Sequence, residues 1–333
     1  MTPSITDSTV KAALAAITSE SATTEEKIQM LIELAQGLQK KPKTTQDLWN
    51  AVELYQQAYK LCDSDYPLWK ARSQVGMAGA LMSIPDAGVE LLLQAKANYQ
   101  EALPILRQLA GSVEEAEAQM NLGLLLQSLV PFNLAKMTDS IAAYHQAMRV
   151  FTSQDYPQEY AILANNVAIA YLSMVGDASQ SNLYEGLAVQ TFEAALQHIN
   201  IIDHPREYAM LQNNLGNALQ YLQSSHPVEN NLRAIAAYDQ ALKVRSPQDT
   251  PLEYANTIAN KANALFNLPD DLEKPELGNL KNLLQARNYY HEAWEIFSQH
   301  QQQAQAAAVA QALQDVVGEI SKSSRRGAEA QRE

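Results

Sequence analysis

The 333-residue chain has one cysteine, Cys62, five phenylalanines and three tryptophans. A lone thiol forms no intrachain disulfide, so a stapled secreted fold is excluded and a reducing, cytoplasmic setting is expected. Long apolar runs are missing. The longest, such as 12–17 and 167–172, hold about six residues, where a spanning helix needs about 18 or more. No basic stretch followed by a long apolar core opens the chain, so no leader is expected. Basic side chains are the minority, 24 against 37 acidic, for a net charge of −13. Nucleic acids and anionic membranes need a basic footprint, so neither is an expected partner.

Catalytic signatures are missing too. There is no Gly-x-x-x-x-Gly-Lys-Ser/Thr and no Gly-x-Gly-x-x-Gly, the phosphate and dinucleotide cradles. None of the six histidines (His145, His198, His204, His226, His291 and His300) stands in His-Glu-x-x-His or three residues after a glutamate. The helical zinc and di-iron patterns therefore fail, and no metal or cofactor is expected. The chain reads as a non-enzyme. Hydrophobic residues make up 47%, a globular value that rules out wholesale disorder.

What is present is a repeat. Pro205-Arg206-Glu207-Tyr208-Ala209 leads to Asn213-Asn214-Leu215-Gly216, and the phrase recurs at Pro157 with Asn165-Asn166-Val167-Ala168 and at Pro251 with Asn260-Lys261-Ala262. Each of the anchors Asn166, Asn214 and Asn260 lies nine residues after its proline, and Pro67 leads in the same way to Gly76. With Asn121 the anchors 76, 121, 166, 214 and 260 are spaced 45, 45, 48 and 46; Glu33 opens a weaker first copy. A second phrase alternates with the first. It is an aromatic with alanine three residues on: Tyr55/Ala58, Tyr99/Ala102, Tyr144/Ala147, Phe192/Ala195, Tyr238/Ala241 and Tyr290/Ala293. A small residue precedes each aromatic by four: Ala51, Ala95, Ser140, Ala188, Ala234 and Ala286.

Both phrases have helical spacing. Small residues at fixed places let two helices approach, and the aromatic fills the space between them. Each repeat is therefore a helix A, a turn and a helix B, and stacking alone completes the core. Capping boxes are expected at Thr23-x-x-Glu26 and Ser112-x-x-Glu115, with N-terminal prolines at Pro157, Pro205 and Pro251. Variable turns are expected at 175–177, 224–227 and 269–277, and Pro104 should kink or end its helix. The organisation expected is a polar segment over 1–23 with a short helix near 8–19, a six-pair array over 24–298, a capping helix over 299–320 and a disordered charged tail over 321–333. Trp49, Trp69 and Trp294 are expected to pack, with Trp69 possible at a rim, and Cys62 to be buried and inert.

With Leu215-Gly216 and Leu219 on helix A, and Ala234, Tyr238 and Ala241 on helix B, the chain resembles the tetratricopeptide repeat. The phrase Pro-x-x-Tyr-Ala-x-x-x-Asn-Asn-Leu is similar to the long-repeat subtype of kinesin light chains and bacterial signalling proteins. The usual period is 34 residues, so each repeat here is longer by about 11 to 14. The resemblance covers about residues 25–298, with a degenerate first copy and Lys261 where an apolar residue is usual. It implies an all-α, right-handed superhelical solenoid of about six antiparallel helix pairs, with the A helices lining a groove that holds a partner polypeptide.

Carried onto this chain, the groove residues are Asn121, Asn165, Asn166, Asn213, Asn214, Asn217, Tyr221, Asn256, Asn260, Asn263 and Asn267. Asparagine is a mediocre residue inside a helix, so a ladder of it asks for a reason. Its amide donates and accepts, and so can pair with a peptide backbone. The same amides can instead bond neighbouring A helices and set their stacking. The expected role is an interaction adaptor for another protein. An assembly chaperone for a multi-subunit enzyme, or an enzyme or ligand binder whose residues meet only in space, are the other readings.

Overall fold

The computed structural model describes residues 8–16, 22–85, 88–174, 178–222 and 226–330. Its fourteen α-helices are joined without any strand among the described residues. A first short helix, α1 (Ser8–Ala16), packs on the next two. Six pairs follow: α2 (Thr24–Lys40) with α3 (Thr45–Leu61), α4 (Pro67–Ser83) with α5 (Val89–Leu109), α6 (Ser112–Leu129) with α7 (Met137–Met148), α8 (Pro157–Leu172) with α9 (Ala178–Leu196), α10 (Pro205–Tyr221) with α11 (Pro227–Ala241) and α12 (Pro251–Phe266) with α13 (Leu280–Gln299). A last helix, α14 (Gln303–Ala330), lies against α13. The all-α class expected from the two alternating phrases is the class observed. The chain divides into two compact units, Met1–Thr152 and Ser153–Glu333, each with three of the pairs.

The second phrase builds the core. All six small residues from Ala51 to Ala286, all six aromatics from Tyr55 to Tyr290 and all six alanines from Ala58 to Ala293 are buried. Small residues on the A helices make room for the rings. A Cβ at Gly123 would sit 2.4 Å from the Tyr144 ring, and one at Gly216 would sit 2.5 Å from that of Tyr238. Such contacts are far inside van der Waals distance, so glycine is what admits the ring. The hydroxyls of Tyr55, Tyr144 and Tyr238 reach past the core to an amide on the A helix of their own pair. Tyr55 donates to Gln39 Oε1 at 3.0 Å and Tyr144 to Gln127 Oε1 at 3.0 Å.

The helix ends follow local chemistry. Thr23 and Glu26 form the expected capping box at α2. Those hydrogen bonds hold the Glu26 carboxyl below its usual range. Prolines open α4, α8, α10, α11 and α12, where their missing N–H costs nothing. Asp270, in the 269–277 turn, accepts from the backbone N–H groups of Lys281 and Asn282 at the start of α13. The expected turns at 175–177 and 224–225 lie outside the described residues.

Three expectations are changed or narrowed by the structure. Ser112 is not a cap: α6 starts from Gly111, and Glu115 receives Arg107 at 2.8 Å instead. Pro104 does not end α5, which runs five residues further to Leu109. Gln100 and Pro104 both face solvent, so the carbonyl that loses its partner there stays hydrated. The third is the tail: α14 continues past Ile320 to Ala330. The added stretch holds three serines and a glycine beside Arg325, Arg326, Ala328, Glu329 and Ala330, and it has no proline to stop the helix.

Lys261 holds a position where other repeats have Leu122, Val167 and Leu215, and it is buried. Its ammonium pairs with Asp239 on α11 and lies 5.3 Å from the centre of the Tyr289 ring on α13. An otherwise costly buried charge is thereby partnered on two sides. Trp294 is 39% exposed rather than packed. Cys62 is buried, and its thiol donates to the Ala58 carbonyl at 3.2 Å.

Candidate functional site

The A-helix asparagines form two arrangements that share Asn260. The first is a relay inside the second unit. Asn260 Nδ2 donates to Asn213 Oδ1 at 3.4 Å, Asn213 Nδ2 to Asn214 Oδ1 at 2.9 Å, Asn214 Nδ2 to Asn165 Oδ1 at 2.7 Å, and Asn165 Nδ2 to Asn166 Oδ1 at 3.4 Å. The bonds link α12 to α10 and α10 to α8. Asn165 and Asn213 are only 6% and 7% exposed, so their amides are satisfied by each other rather than by solvent. These residues bridge neighbouring A helices.

The second set lines a cleft of about 500 Å³ between the last turns of α10 and α12 and the first turn of α11. Asn217, Tyr221, Asn260, Asn263 and Asn267 from the expected groove all border it. Asn121 borders a different cleft in the first unit. Asn256, although exposed, does not border the cleft of the second unit.

Bonds inside the cleft orient its amides. Asn263 Nδ2 donates to Gln220 Oε1 at 2.8 Å. Gln220 Nε2 donates to the Tyr238 hydroxyl at 2.6 Å, and that hydroxyl donates to Asn217 Oδ1 at 2.7 Å. Asn267 Nδ2 reaches back to the Asn263 carbonyl at 2.9 Å, and Asn231 Nδ2 to that of Pro227 at 3.0 Å. Each bond engages one polar atom of the side amide. The N–H₂ of Asn217 and the Oδ1 atoms of Asn263 and Asn267 have no partner among the described residues. Tyr221, at 67% exposure, offers an open aromatic face beside them. Among the described residues, no carboxylate, ammonium, guanidinium or imidazole borders the cleft.

Gln220, Asn231, Pro227 and Val228 complete the lining and were not among the expected groove residues. Gln220 had a signal: it lies four residues after Gly216, as Gln39 follows Ala35 and Gln127 follows Gly123. Each of these glutamines holds the hydroxyl of its own pair's tyrosine.

No known family model and no curated protein matches the sequence. The structure does resemble a solved one, BtubC (BKLC) from P. vanneervenii, with a TM-score of 0.51 at 15% identity over 84% of this chain and 93% of that one. Two others superpose less closely. The TPR2AB domain of yeast Sti1 in its pHSP90 complex gives 0.30 at 14% identity, over 88% of this chain and 99% of that one. A Rap protein complexed with Competence and Sporulation Factor gives 0.37 at 13% identity, over 96% and 89%. With its paired helices and repeated phrases, the chain is an all-α helical-repeat protein whose fold is similar to that of BtubC. Among the described residues, no helix is long and apolar enough to cross a membrane, and no three His, Cys, Asp or Glu side chains gather as a metal site.

Proposed function

We propose that this protein is a non-catalytic interaction adaptor that holds a segment of a partner polypeptide in the amide-lined cleft of its second unit. One observation carries the reading: the cleft presents donors and acceptors from side-chain amides next to an exposed tyrosine, and no ionic group. Paired donors and acceptors match the alternating N–H and C=O of an extended backbone. A stacking face such as Tyr221 adds apolar area with little ordering cost. The relay amides have a separate role, which is to tie α8, α10 and α12 together.

The test is a random peptide library displayed against the full chain, with selected peptides resynthesised and measured by fluorescence anisotropy. In Asn217→Ala/Asn263→Ala/Asn267→Ala, loss of about 1 kcal/mol per hydrogen bond predicts binding weaker by roughly a hundredfold. The melting temperature also falls, because the buried Tyr238 hydroxyl loses its acceptor, so binding is compared well below it. Asn214→Ala, which does not border the cleft, should lower the melting temperature and leave binding in place. Failure to select any peptide, or equal binding by the cleft variant, overturns the proposal.

A further inference from the structure

The cleft of the first unit, about 710 Å³ between α2, α4 and α6, breaks the tyrosine–glutamine rule. In the second pair Met82 occupies the slot that Gln39, Gln127 and Gln220 fill elsewhere. The Tyr99 hydroxyl opposite is consequently buried without a hydrogen-bond partner, on a side chain that is 0% exposed. The corresponding slot of the fourth pair is also apolar, Leu172, but there the aromatic is Phe192 and no hydroxyl needs a partner. In the sixth pair Tyr290 stands opposite Phe266 and within electrostatic reach of Asp315 on α14. An orphaned buried hydroxyl is costly, and a ligand is one way to satisfy it.

The hydroxyl borders a cleft with a floor of little bulk. Gly79 lies above it, and a Cβ added there would be 3.8 Å from the Tyr99 oxygen and 2.8 Å from Gln39 Nε2. The Gln39 carbonyl oxygen is already taken by Tyr55. The lining is acidic: it holds Glu33, Glu114 and Glu117 against one basic residue, Arg72, an excess of two negative charges. That arginine shows how the cleft treats a guanidinium. It is forked onto Glu114, Nε to Oε1 at 2.8 Å and Nη2 to Oε2 at 3.1 Å, and stacks 4.8 Å from the Trp69 ring centre.

We propose that this cleft is a second recognition site, taking an arginine side chain from a basic, flexible segment of a partner protein. The planar group slides over Gly79, presents an N–H to the Tyr99 oxygen and turns its other donors towards the acidic lining, where Glu33 already accepts from Gln29 Nε2 at 2.7 Å and has a second oxygen to offer. Lysine fits less well, because its compact ammonium lacks the flat face and the fork of donors. The net charge of −13 draws such a segment in from a distance. This site is independent of the amide cleft in the second unit.

The test is calorimetric titration of the full chain with the capped peptide Ser-Gly-Arg-Gly-Ser, and with its citrulline and lysine counterparts. Saturable one-to-one binding of the arginine peptide is expected, with the other two at least about tenfold weaker. Gly79→Leu should abolish it by filling the slot, since the new Cβ stands 3.8 Å from the Tyr99 oxygen and displaces the end of the Gln39 side chain; its helical signal and melting temperature check that the fold survives. Met82→Gln should weaken binding several-fold, because it supplies Tyr99 with the missing partner, and should not lower the melting temperature. Glu33→Gln/Glu117→Gln should weaken it about tenfold. The Asn217/Asn263/Asn267 alanine variant should bind as the parent does, which keeps this outcome separate from that of the amide cleft. No saturable binding, equal binding of the lysine peptide, or binding unchanged in both Gly79→Leu and Met82→Gln would each overturn the assignment.

Discussion

Two glycines three residues apart on α4 do opposite things. A Cβ at Gly76 would stand 2.2 Å from the Tyr55 ring, which is buried and tied by its hydroxyl to Gln39. Gly76→Ala should therefore cost about 1–3 kcal/mol through overpacking. Gly79→Ala meets only the Gln39 side-chain end and gains helix propensity of up to about 1 kcal/mol, so it should be neutral or stabilising. Urea melts of the two variants check this; equal losses would contradict the packing around Tyr55. The Gly76-Met77-Ala78-Gly79 phrase does not reveal the difference, because both glycines fall on the same groove stripe. What separates them is where a ring from α3 comes to rest, a contact set by stacking rather than by local spacing.

At the level of the helix, the B-helix tyrosines link packing to pH. Burial pushes the phenols of Tyr144 and Tyr290 up to about 12, and those of Tyr55, Tyr99 and Tyr238 higher still. An unfolded chain releases these protons near pH 10. The folded form thus holds more protons above that point, and its stability falls as pH rises. Stability should be flat below about pH 10 and drop steeply towards about pH 12, with the tyrosinate absorbance of these five buried phenols appearing only as the helices unfold. Early titration of all fifteen tyrosines while the helical signal persists would refute the burial. The aromatic register was legible from sequence because its small-aromatic-small spacing is local and repeated six times. The ends of individual helices were less so. The helix-opening prolines mark starts faithfully, whereas Ser112 is no cap and Pro104 no end, because a neighbouring Arg107 and a solvent-facing carbonyl decide those places.

For the whole molecule, the number of pairs and the closing helix followed from the roughly 45-residue period. The division after Thr152 leaves no mark, since the anchors on either side, Asn121 and Asn166, keep the ordinary spacing. The asparagines were legible as a set but not as two sets. Composition alone does not tell an amide that bonds the next helix from one that stays open, because both obey the same helical stripe. The closing helix buries Val309 and Val316 in one cluster with Tyr290 and Phe297 of α13. Deleting the chain from Gln303 onward should cost about 3–6 kcal/mol from these two valines alone. It should also produce self-association, visible in calorimetry and light scattering; an unchanged melting temperature would show that the helix covers nothing of consequence. The lone thiol has a practical bearing on all these measurements. Cys62 is buried and its pKa is raised to about 11 by desolvation, so at neutral pH it stays unreactive towards maleimides. One cysteine introduced at an exposed site on α11 would accept a fluorophore by itself, turning the unaltered remainder of the chain into its own reporter of cleft occupancy.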